Sequence, residues 1–373
     1  MSKLDIDTKL LKEDILKLKK YYSRSPKRDD IRIDYPKLEL LNDALENLTG
    51  EHISLEGLFM DTKKVHDDIT RKYINYSFDF ITFIERDLLM IYSFLREFYT
   101  NTVNLDFINQ PIINCYERYS LKDFKDIMID YFKMYGKSEE EIVKKYFDDG
   151  RIQMNYKLDG MDGLFLGTIC NKSGYIFTTK DKLDTTSLVI IAHELGHAID
   201  NEKFFFSQHK KTYFDDVLGE TPSTFFEMGL IDYLKKNKID EVSASLLFRN
   251  RLLRIARSTT GISRFIVHRQ NNDVMDIDLE GNVIVDNGTV IPLRDRIIYG
   301  LGYYLVIFTQ TLLDGDYAEF MKDFYTFLST RKECDFESSL DTLGLSYNDL
   351  MNTNIVKPKV EENSMILKKR FNL

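Results

Sequence analysis

The chain has 373 residues, of which 43% are hydrophobic and 13% aromatic, and its net charge is −9. A chain of this length and apolar content can bury a core large enough for two or three domains or lobes. The acidic balance argues against a protein built to hold nucleic acid. Three widely spaced cysteines, a charged N-terminus and no apolar run of membrane-spanning length predict a soluble, cytoplasmic protein that crosses no membrane.

The first third of the chain has the apolar spacing of helices. Leucine and isoleucine recur at helical intervals within residues 1–22, again over 38–48, and the aromatic-rich stretch 55–99 continues the pattern. Residues 21–36 contain two prolines and mixed charge, so they are predicted to form a linker. A further helix is predicted at about 121–135.

Strand patterns appear in two places within otherwise helical sequence. Residues 163–170 and 173–179 form two short, β-rich stretches bounded by glycine. A second β-rich patch covers 274–291, where Asn287 and Gly288 form a pair that is typical of a hairpin turn. The sequence therefore predicts a mainly α protein with a small sheet and a separate β-hairpin.

The segment LVIIAHELGHAIDNE, residues 188–202, carries the clearest chemical motif. On a helix, His193 and His197 lie on one face and can present two imidazoles to a single metal ion. Glu194 follows the first histidine and can reach a water on that metal, which is the zinc-peptidase arrangement. The residues that precede His193 are apolar, and Gly196 allows another backbone to come close. Both features argue against an incidental pair of histidines on a surface helix. Zinc is expected, although cobalt or manganese fits the same ligands.

A zinc ion also needs a third protein ligand. The downstream candidates are Asp200, Glu202, Asp215, Asp216, Glu220 and Glu227. Asp200 lies within one turn of His197, so it is better placed as an outer carboxylate that orients an imidazole. Glu220 and Glu227 lie two turns apart on one face of a second helical stretch, and spacing alone leaves both open.

Three features resemble the thimet oligopeptidase and oligoendopeptidase F family of zinc metallopeptidases. One is HELGHAID, and another is ETPSTFFE, which is similar to the family's Glu-x-x-Ser-x-x-x-Glu stretch. The third is a series of segments between residues 105 and 192 that occur in the family's order. The resemblance covers about 105–330 and implies one zinc ion with Glu220 as its third ligand, which leaves Glu227 as an outer carboxylate.

The same resemblance implies how a substrate is held. In the family, the edge of a small sheet before the metal helix pairs with the substrate backbone. The matching residues here are Gly174, Tyr175, Ile176 and Phe177. Farther along, RDRIIYGLGYY resembles a family segment that stabilises the tetrahedral intermediate, although this chain has no histidine there. Tyr299 is the first candidate for the oxyanion donor and Tyr303 the second, with core packing as the alternative role for both.

The implied fold is a mainly α, two-lobed metallopeptidase with a small sheet beside the metal helix. The N-terminal helical region, 1–105, is a reduced lobe, and 106–373 form the catalytic domain. The implied activity is a zinc-dependent endopeptidase or oligopeptidase that acts on peptides, with Glu194 as general base. Two alternatives remain: a processing protease dedicated to one partner or leader peptide, and a peptide-binding protein of this fold with little turnover. Oligomeric state is not predicted.

One charged cluster lies outside these motifs. Arg249, Arg251, Arg254 and Arg257 lie close together in LFRNRLLRIAR. They could meet a substrate carboxylate, but their helical spacing favours a solvated, salt-bridged face.

Overall fold

The structure is a computed structural model. It describes residues 4–24, 29–56, 58, 88–89, 92–93, 95–97, 100–101, 118–168, 171–204, 219–273, 275–277, 282–285, 288–310, 317–330, 340–342, 346, 348–349 and 352–371. Most of the helical prediction for 55–99 lies outside the described residues, as do the candidate ligands Asp215 and Asp216.

The chain forms two compact units that interleave along the sequence. Unit 1 comprises Met1–Lys72 and Arg118–Gln208, and unit 2 comprises Tyr73–Glu117 and His209–Leu373. The division into 1–105 and 106–373 that the sequence suggests stays a prediction. Unit 1 combines two stretches because its N-terminal helices share a hydrophobic core with strands that follow residue 160.

Unit 1 contains five helices among its described residues. They are α1 (Thr8–Ser23), α2 (Asp29–Thr49), α3 (Leu121–Lys133), α4 (Lys137–Asp148) and α5 (Thr185–Phe204). The helices predicted over 1–22 and 121–135 are confirmed. The predicted linker over 21–36 is wrong in its second half, because α2 begins at Asp29 and includes Pro36. Leu38, Leu41 and Leu45 of α2 are buried in the core shared with α1, and this packing outweighs the local cost of the proline.

A three-stranded sheet lies between the helices of unit 1. Its strands are β1 (Ile152–Gln153), β2 (Gly163–Thr168) and β3 (Asn171–Thr178), in the order β1-β3-β2. β3 runs parallel to β1 and antiparallel to β2, so it is the middle strand. The two strands predicted just ahead of the metal motif are therefore confirmed.

The core of unit 1 joins α1 and α2 to this sheet. Ile15 and Leu41 pack in one cluster with Tyr175 and Phe177 of the middle strand. A buried polar contact lies within the same region. Asp14 of α1 lies 3.2 Å from an Arg151 guanidinium nitrogen and accepts a 2.9 Å hydrogen bond from the Tyr175 hydroxyl. The N-terminal helices therefore hold the sheet, and α5 packs against β2 and β3.

Unit 2 is built mainly from helices. Its regular elements are α6 (Thr221–Lys236), α7 (Glu241–Gln270), α8 (Leu293–Gln310), α9 (Tyr317–Thr330) and α10 (Thr353–Phe371), with strands β4 (Met275–Ile277), β5 (Val283–Val285) and β6 (Val290–Ile291). Helices α6, α7 and α8 pack against one another pairwise. The predicted β patch is an antiparallel sheet in the order β4-β5-β6, and Gly288 has a φ of +77° in the turn between β5 and β6. Among the described residues, every helix is too short or too polar to cross a bilayer.

Candidate metal centre

Helix α5 carries the two histidines through the interior of unit 1. The Asp184 carboxylate caps its first turn by accepting a 2.9 Å hydrogen bond from the Ser187 N–H. Its apolar residues are buried: Leu188, Val189, Ile190, Ile191, Ala192, Leu195, Ala198 and Ile199. This packing orients the helix, so its remaining face presents the polar side chains.

His193 and His197 lie one helical turn apart on that face, and both are half-buried. Their ring centroids are 5.2 Å apart and the ring planes meet at 81°. Glu194 is buried, with 6% of its surface exposed. A carboxylate that is largely withdrawn from water beside two imidazoles is suited to accept a proton from a nearby reacting group.

Glu194 also lies against the first residue of β2. A Cβ atom added to Gly163 would lie 2.5 Å from Glu194 Oε1 and 2.9 Å from Ile190 Cγ2. Only glycine therefore fits at position 163 with the carboxylate in its present place. The sequence reasoning missed this contact, although a glycine within a predicted strand is a signal of close approach.

Glu220 occupies the N-cap position of α6 in unit 2. Its side chain makes no capping hydrogen bond; instead its Oε2 accepts a 3.2 Å hydrogen bond from the Ser223 hydroxyl. Ser223 is fully buried and also donates to the Glu220 carbonyl at 3.0 Å. Ser223 therefore orients the carboxylate, a role that the sequence reasoning missed. Gly302 of α8 supports the same turn, because a Cβ there would lie 3.6 Å from the Glu220 carbonyl oxygen.

His193, His197 and Glu220 together form a group that could hold a metal ion. Their ligand atoms all lie within 4.8 Å of one another, and no other such group of three occurs among the described His, Cys, Asp and Glu residues. Two imidazoles and one carboxylate match the ligand set of catalytic zinc sites, which leave a further position for water or substrate. The chemistry of the donor set therefore fits the metal that the motif implies.

The other carboxylates proposed from spacing make different contacts. Glu202 accepts a 2.9 Å hydrogen bond from the Ser173 hydroxyl and lies 3.7 Å from Lys145 Nζ. Glu227 is buried and forms an ion pair with Arg251 of α7. Asp200 is half-buried, three residues after His197 on α5.

Two tyrosines of α8 lie in the region of unit 2 that contains Glu220. Tyr299 is half-buried, and burial together with the negative charge of Glu220 raises the pKa of its phenol. The phenol therefore stays protonated at neutral pH and can donate a hydrogen bond. Tyr303 is fully buried, and its hydroxyl has no hydrogen-bond partner among the described residues.

The expected substrate edge does not lie on the strand predicted for it. Gly174, Tyr175, Ile176 and Phe177 belong to β3, the middle strand, and Ile176 and Phe177 pair with β1 on one side and β2 on the other. The last three of these side chains are at most 1% exposed. The Gly174 N–H also donates to the Tyr146 hydroxyl at 2.9 Å. β3 was expected at the edge because β1, which covers that side, has only two residues and shows no strand pattern in the sequence.

β2 is an edge strand of this sheet, and its outer edge is the side turned away from β3. Phe165 faces Ile176 across the pair, and the Ile176 N–H donates to the Arg151 carbonyl on the opposite side. The Phe165 position is thus a non-hydrogen-bonded pair, so its own N–H and C=O point away from β3. By the same alternation, the backbone of Gly163 also points outward, next to Glu194.

The fold is similar to two solved structures. One is a protein assigned as a candidate oligoendopeptidase F from Bacillus anthracis str. Ames, with 13% identity and a TM-score of 0.54 over 91% of this chain and 64% of that chain. The other is a candidate peptidase from Chlamydophila abortus, with 11% identity and a TM-score of 0.44 over 90% of this chain and 62% of that one. The chain thus spans less than two thirds of either protein.

No family model matches the sequence, and no curated protein matches it significantly. The similarity to the first solved structure nevertheless bears on the fold. The chain has a mainly α fold with two three-stranded sheets, as predicted, and this fold resembles that of the oligoendopeptidase F structure.

Proposed function

We propose that this protein is a metal-dependent peptidase that uses zinc to hydrolyse peptide bonds. The observation that carries the proposal is the His193–His197–Glu220 group, which adjoins the buried carboxylate of Glu194 in sequence. A protein that only bound peptides would need neither the ligand set nor a general base. The proposal extends to endopeptidase or oligopeptidase activity, as the family resemblance implies.

Each of these residues has a defined role in the proposed reaction. His193, His197 and Glu220 would hold the ion, which supplies a water of lowered pKa and polarises the peptide carbonyl. Glu194 accepts a proton from the attacking water and returns it to the leaving amine nitrogen. Tyr299 donates its phenolic hydrogen to the oxygen that gains negative charge, and Tyr303 is the second candidate for that role. Asp200 orients an imidazole in this scheme, and Glu227 acts as an outer carboxylate through its ion pair with Arg251.

The substrate backbone is proposed to pair with the outer edge of β2. Gly163 and Phe165 direct their N–H and C=O groups outward there, and Gly163 lies against Glu194. An extended peptide added at this edge would bring one of its peptide bonds beside the general base. Main-chain pairing of this kind recognises the backbone rather than a particular side chain.

Hydrolysis of a mixed peptide library, followed by mass spectrometry, tests the proposed function. Purified protein should carry about one zinc per chain and cleave internal peptide bonds. A strong chelator should abolish cleavage, and added zinc should restore it. Cleavage that persists in metal-free protein would refute the metal mechanism. Peptide binding without any turnover by the zinc-loaded protein would favour a binding protein instead.

Replacing Gly163 by alanine should impair the reaction without removing the metal. The added Cβ would lie 2.5 Å from Glu194 Oε1, so the carboxylate must move. A displacement of about 1 Å at a reacting group can lower the rate by roughly 100-fold. We therefore expect kcat of Gly163→Ala to fall by about that factor while its zinc content is unchanged.

Gly167→Ala is the matched control in the same strand. Its added Cβ would lie 2.9 Å from Asn201 Cγ and would press on the Phe165 ring, so its nearest contacts do not include Glu194. Both variants should lose stability through overpacking, by about 1–3 kcal/mol. Only Gly163→Ala should lose activity beyond the fraction that unfolds. An equal loss of kcat in the two folded variants would contradict the proposal that Gly163 positions Glu194.

A further inference from the structure

The outward-facing backbone groups of β2 form a short row. Just before the strand, the Asp162 carbonyl accepts the Thr179 N–H at 3.1 Å, so it points to the side of β3. The backbone groups of successive residues in a strand point to opposite sides, so Gly163 and Phe165 point away from β3. Gly167 is the next residue in this alternation. Within β2, the carbonyls that an added peptide backbone could meet are therefore those of Gly163, Phe165 and Gly167.

Lys37 of α2 occupies the last carbonyl of this row. Its Nζ donates a 2.8 Å hydrogen bond to the Gly167 carbonyl oxygen, across 130 positions of the chain. A hydrogen bond from an ammonium group is stronger than one between two neutral groups. A backbone N–H of a substrate would therefore have to compete with a charged donor for the same oxygen.

The packing of α2 determines where the Lys37 side chain begins. Its neighbour Leu38 is 0% exposed and lies in the core cluster that also contains Leu166 of β2. Lys37 itself is half-buried. A half-buried ammonium group loses hydration, and the Gly167 carbonyl replaces part of it. The contact between α2 and the strand edge is therefore supported by the packing of both elements.

The lysine contact lies at the opposite end of β2 from the proposed general base. Gly163 adjoins Glu194, whereas Gly167 lies four residues farther along, which is about 13 Å in an extended strand. The far end is also closely packed, because a Cβ added to Gly167 would lie 2.7 Å from the Phe165 ring and 2.9 Å from Asn201 Cγ of α5. The carbonyls of Gly163 and Phe165 precede this closed end.

We propose that Lys37 ends the backbone pairing between substrate and β2, so that a peptide pairs with Gly163 and Phe165 and leaves the strand before Gly167. An exposed strand edge accepts any further strand unless something interrupts it, and lysine is a common interruption. The inference rests on the proposed function, which places the substrate at this edge. It identifies a residue, remote from the metal ligands, that determines how many substrate residues are recognised through their backbone.

A backbone N-methyl scan of one labelled peptide measures the extent of pairing. Methylation removes the N–H that a β2 carbonyl would accept, and the N–H groups that face β2 recur at every second residue of an added strand. Binding is measured by fluorescence anisotropy with the zinc-loaded Glu194→Gln variant, which carries the native Lys37. Two positions, two residues apart, should each raise Kd by about 3- to 10-fold when methylated, and the next position in that series should be insensitive.

Lys37→Ala in the same Glu194→Gln background should lengthen the paired segment by one hydrogen bond. The Gly167 carbonyl then accepts a substrate N–H, so the unmethylated peptide should bind about 3- to 10-fold more tightly. Methylation at the third position of the series should remove this gain. Damage to the fold would weaken binding, so a gain in affinity separates the proposed role from a structural one.

Two further variants are the controls for Lys37→Ala. Lys37→Arg keeps a charged donor at the strand edge, so it should keep the profile with two sensitive positions. Lys19→Ala removes another lysine of unit 1 that donates to a backbone carbonyl, that of Ser54, and should also keep that profile. The inference would be overturned if the native Lys37 already allowed three sensitive positions, or if a folded Lys37→Ala protein bound the peptide no more tightly.

These measurements separate the inference from the proposed function because binding requires no turnover. A third pairing position that appears only without Lys37 would support the inference even if no peptide is cleaved. The absence of cleavage by the zinc-loaded wild type would then count against the peptidase proposal alone. Cleavage by wild type, together with a methylation profile that Lys37→Ala leaves unchanged, would count against the role of Lys37 alone.

Discussion

Glu194→Gln should lower kcat by roughly 10²- to 10⁴-fold, which is the contribution expected of a positioned general base. Glutamine keeps the shape of the side chain and can still fit beside Gly163, but it cannot accept a proton at neutral pH. Because Glu194 is not one of the three ligands, the variant should bind zinc as wild type does. KM should change little, since the loss falls on the transition state rather than on binding.

The control for this variant is another glutamate on α5. Glu202 accepts a hydrogen bond from Ser173 and lies 3.7 Å from Lys145 Nζ, and it is not in the candidate ligand group. Glu202→Gln removes the same charge from the same helix, so it should retain nearly full kcat. The kcat for peptide hydrolysis is measured for both variants at equal zinc occupancy and compared. Comparable activity in Glu194→Gln and wild type would mean that another group takes the proton, and the mechanism would have to be rebuilt.

The helix that presents the two histidines could be predicted because the features that define it lie within a few residues of one another. The spacing of His193 and His197 determines that they share a face once the segment is helical, and the apolar residues around them require burial. The assignment of Glu220 needed more than spacing, because Glu227 fits the same helical face. Family resemblance selected Glu220, and the structure places its carboxylate beside both histidines.

Features that depend on distant parts of the chain could not be predicted in this way. Strand β1 contains only two residues, so nothing in the sequence showed that it makes β3 the middle strand. The contact between Gly163 and Glu194 joins a strand to a helix thirty-one positions later. The core that α1 and α2 share with Tyr175 and Phe177 likewise joins residues far apart in the chain. Helical periodicity shows which face of an element is buried, but not which element covers it.

The arginines of α7 show the same limit. Their spacing is compatible with an exposed, salt-bridged face, which is the commoner outcome. Burial of Arg251 follows from Glu227 on the neighbouring helix, a partner that no local pattern reveals. Whether a charged side chain is buried therefore depends on its partner in the folded unit, which the linear sequence does not show.

Glu220→Gln should remove most of the zinc from the purified protein. The amide is neutral and a weaker zinc ligand, so two imidazoles alone must hold the ion. The loss of affinity should exceed the roughly 10- to 100-fold that removal of an outer partner costs. Metal analysis after dialysis, together with competition against a zinc chelator, measures this change. Activity should fall in proportion to zinc content and recover in part at high zinc concentration.

The matched control removes the other carboxylate of α6 together with its partner. Glu227→Gln alone would leave Arg251 buried without its ion pair, at a cost of about 3–5 kcal/mol, so it is combined with Arg251→Met. This double variant loses only an outer carboxylate, so its zinc affinity should fall by at most about 10- to 100-fold, less than that of Glu220→Gln. Added zinc should raise the Tm of wild type and of the double variant, because the ion binds the folded state, but should do so much less for Glu220→Gln. If the double variant lost the metal and Glu220→Gln kept it, the third ligand would be Glu227, and the ligand set proposed here would be wrong.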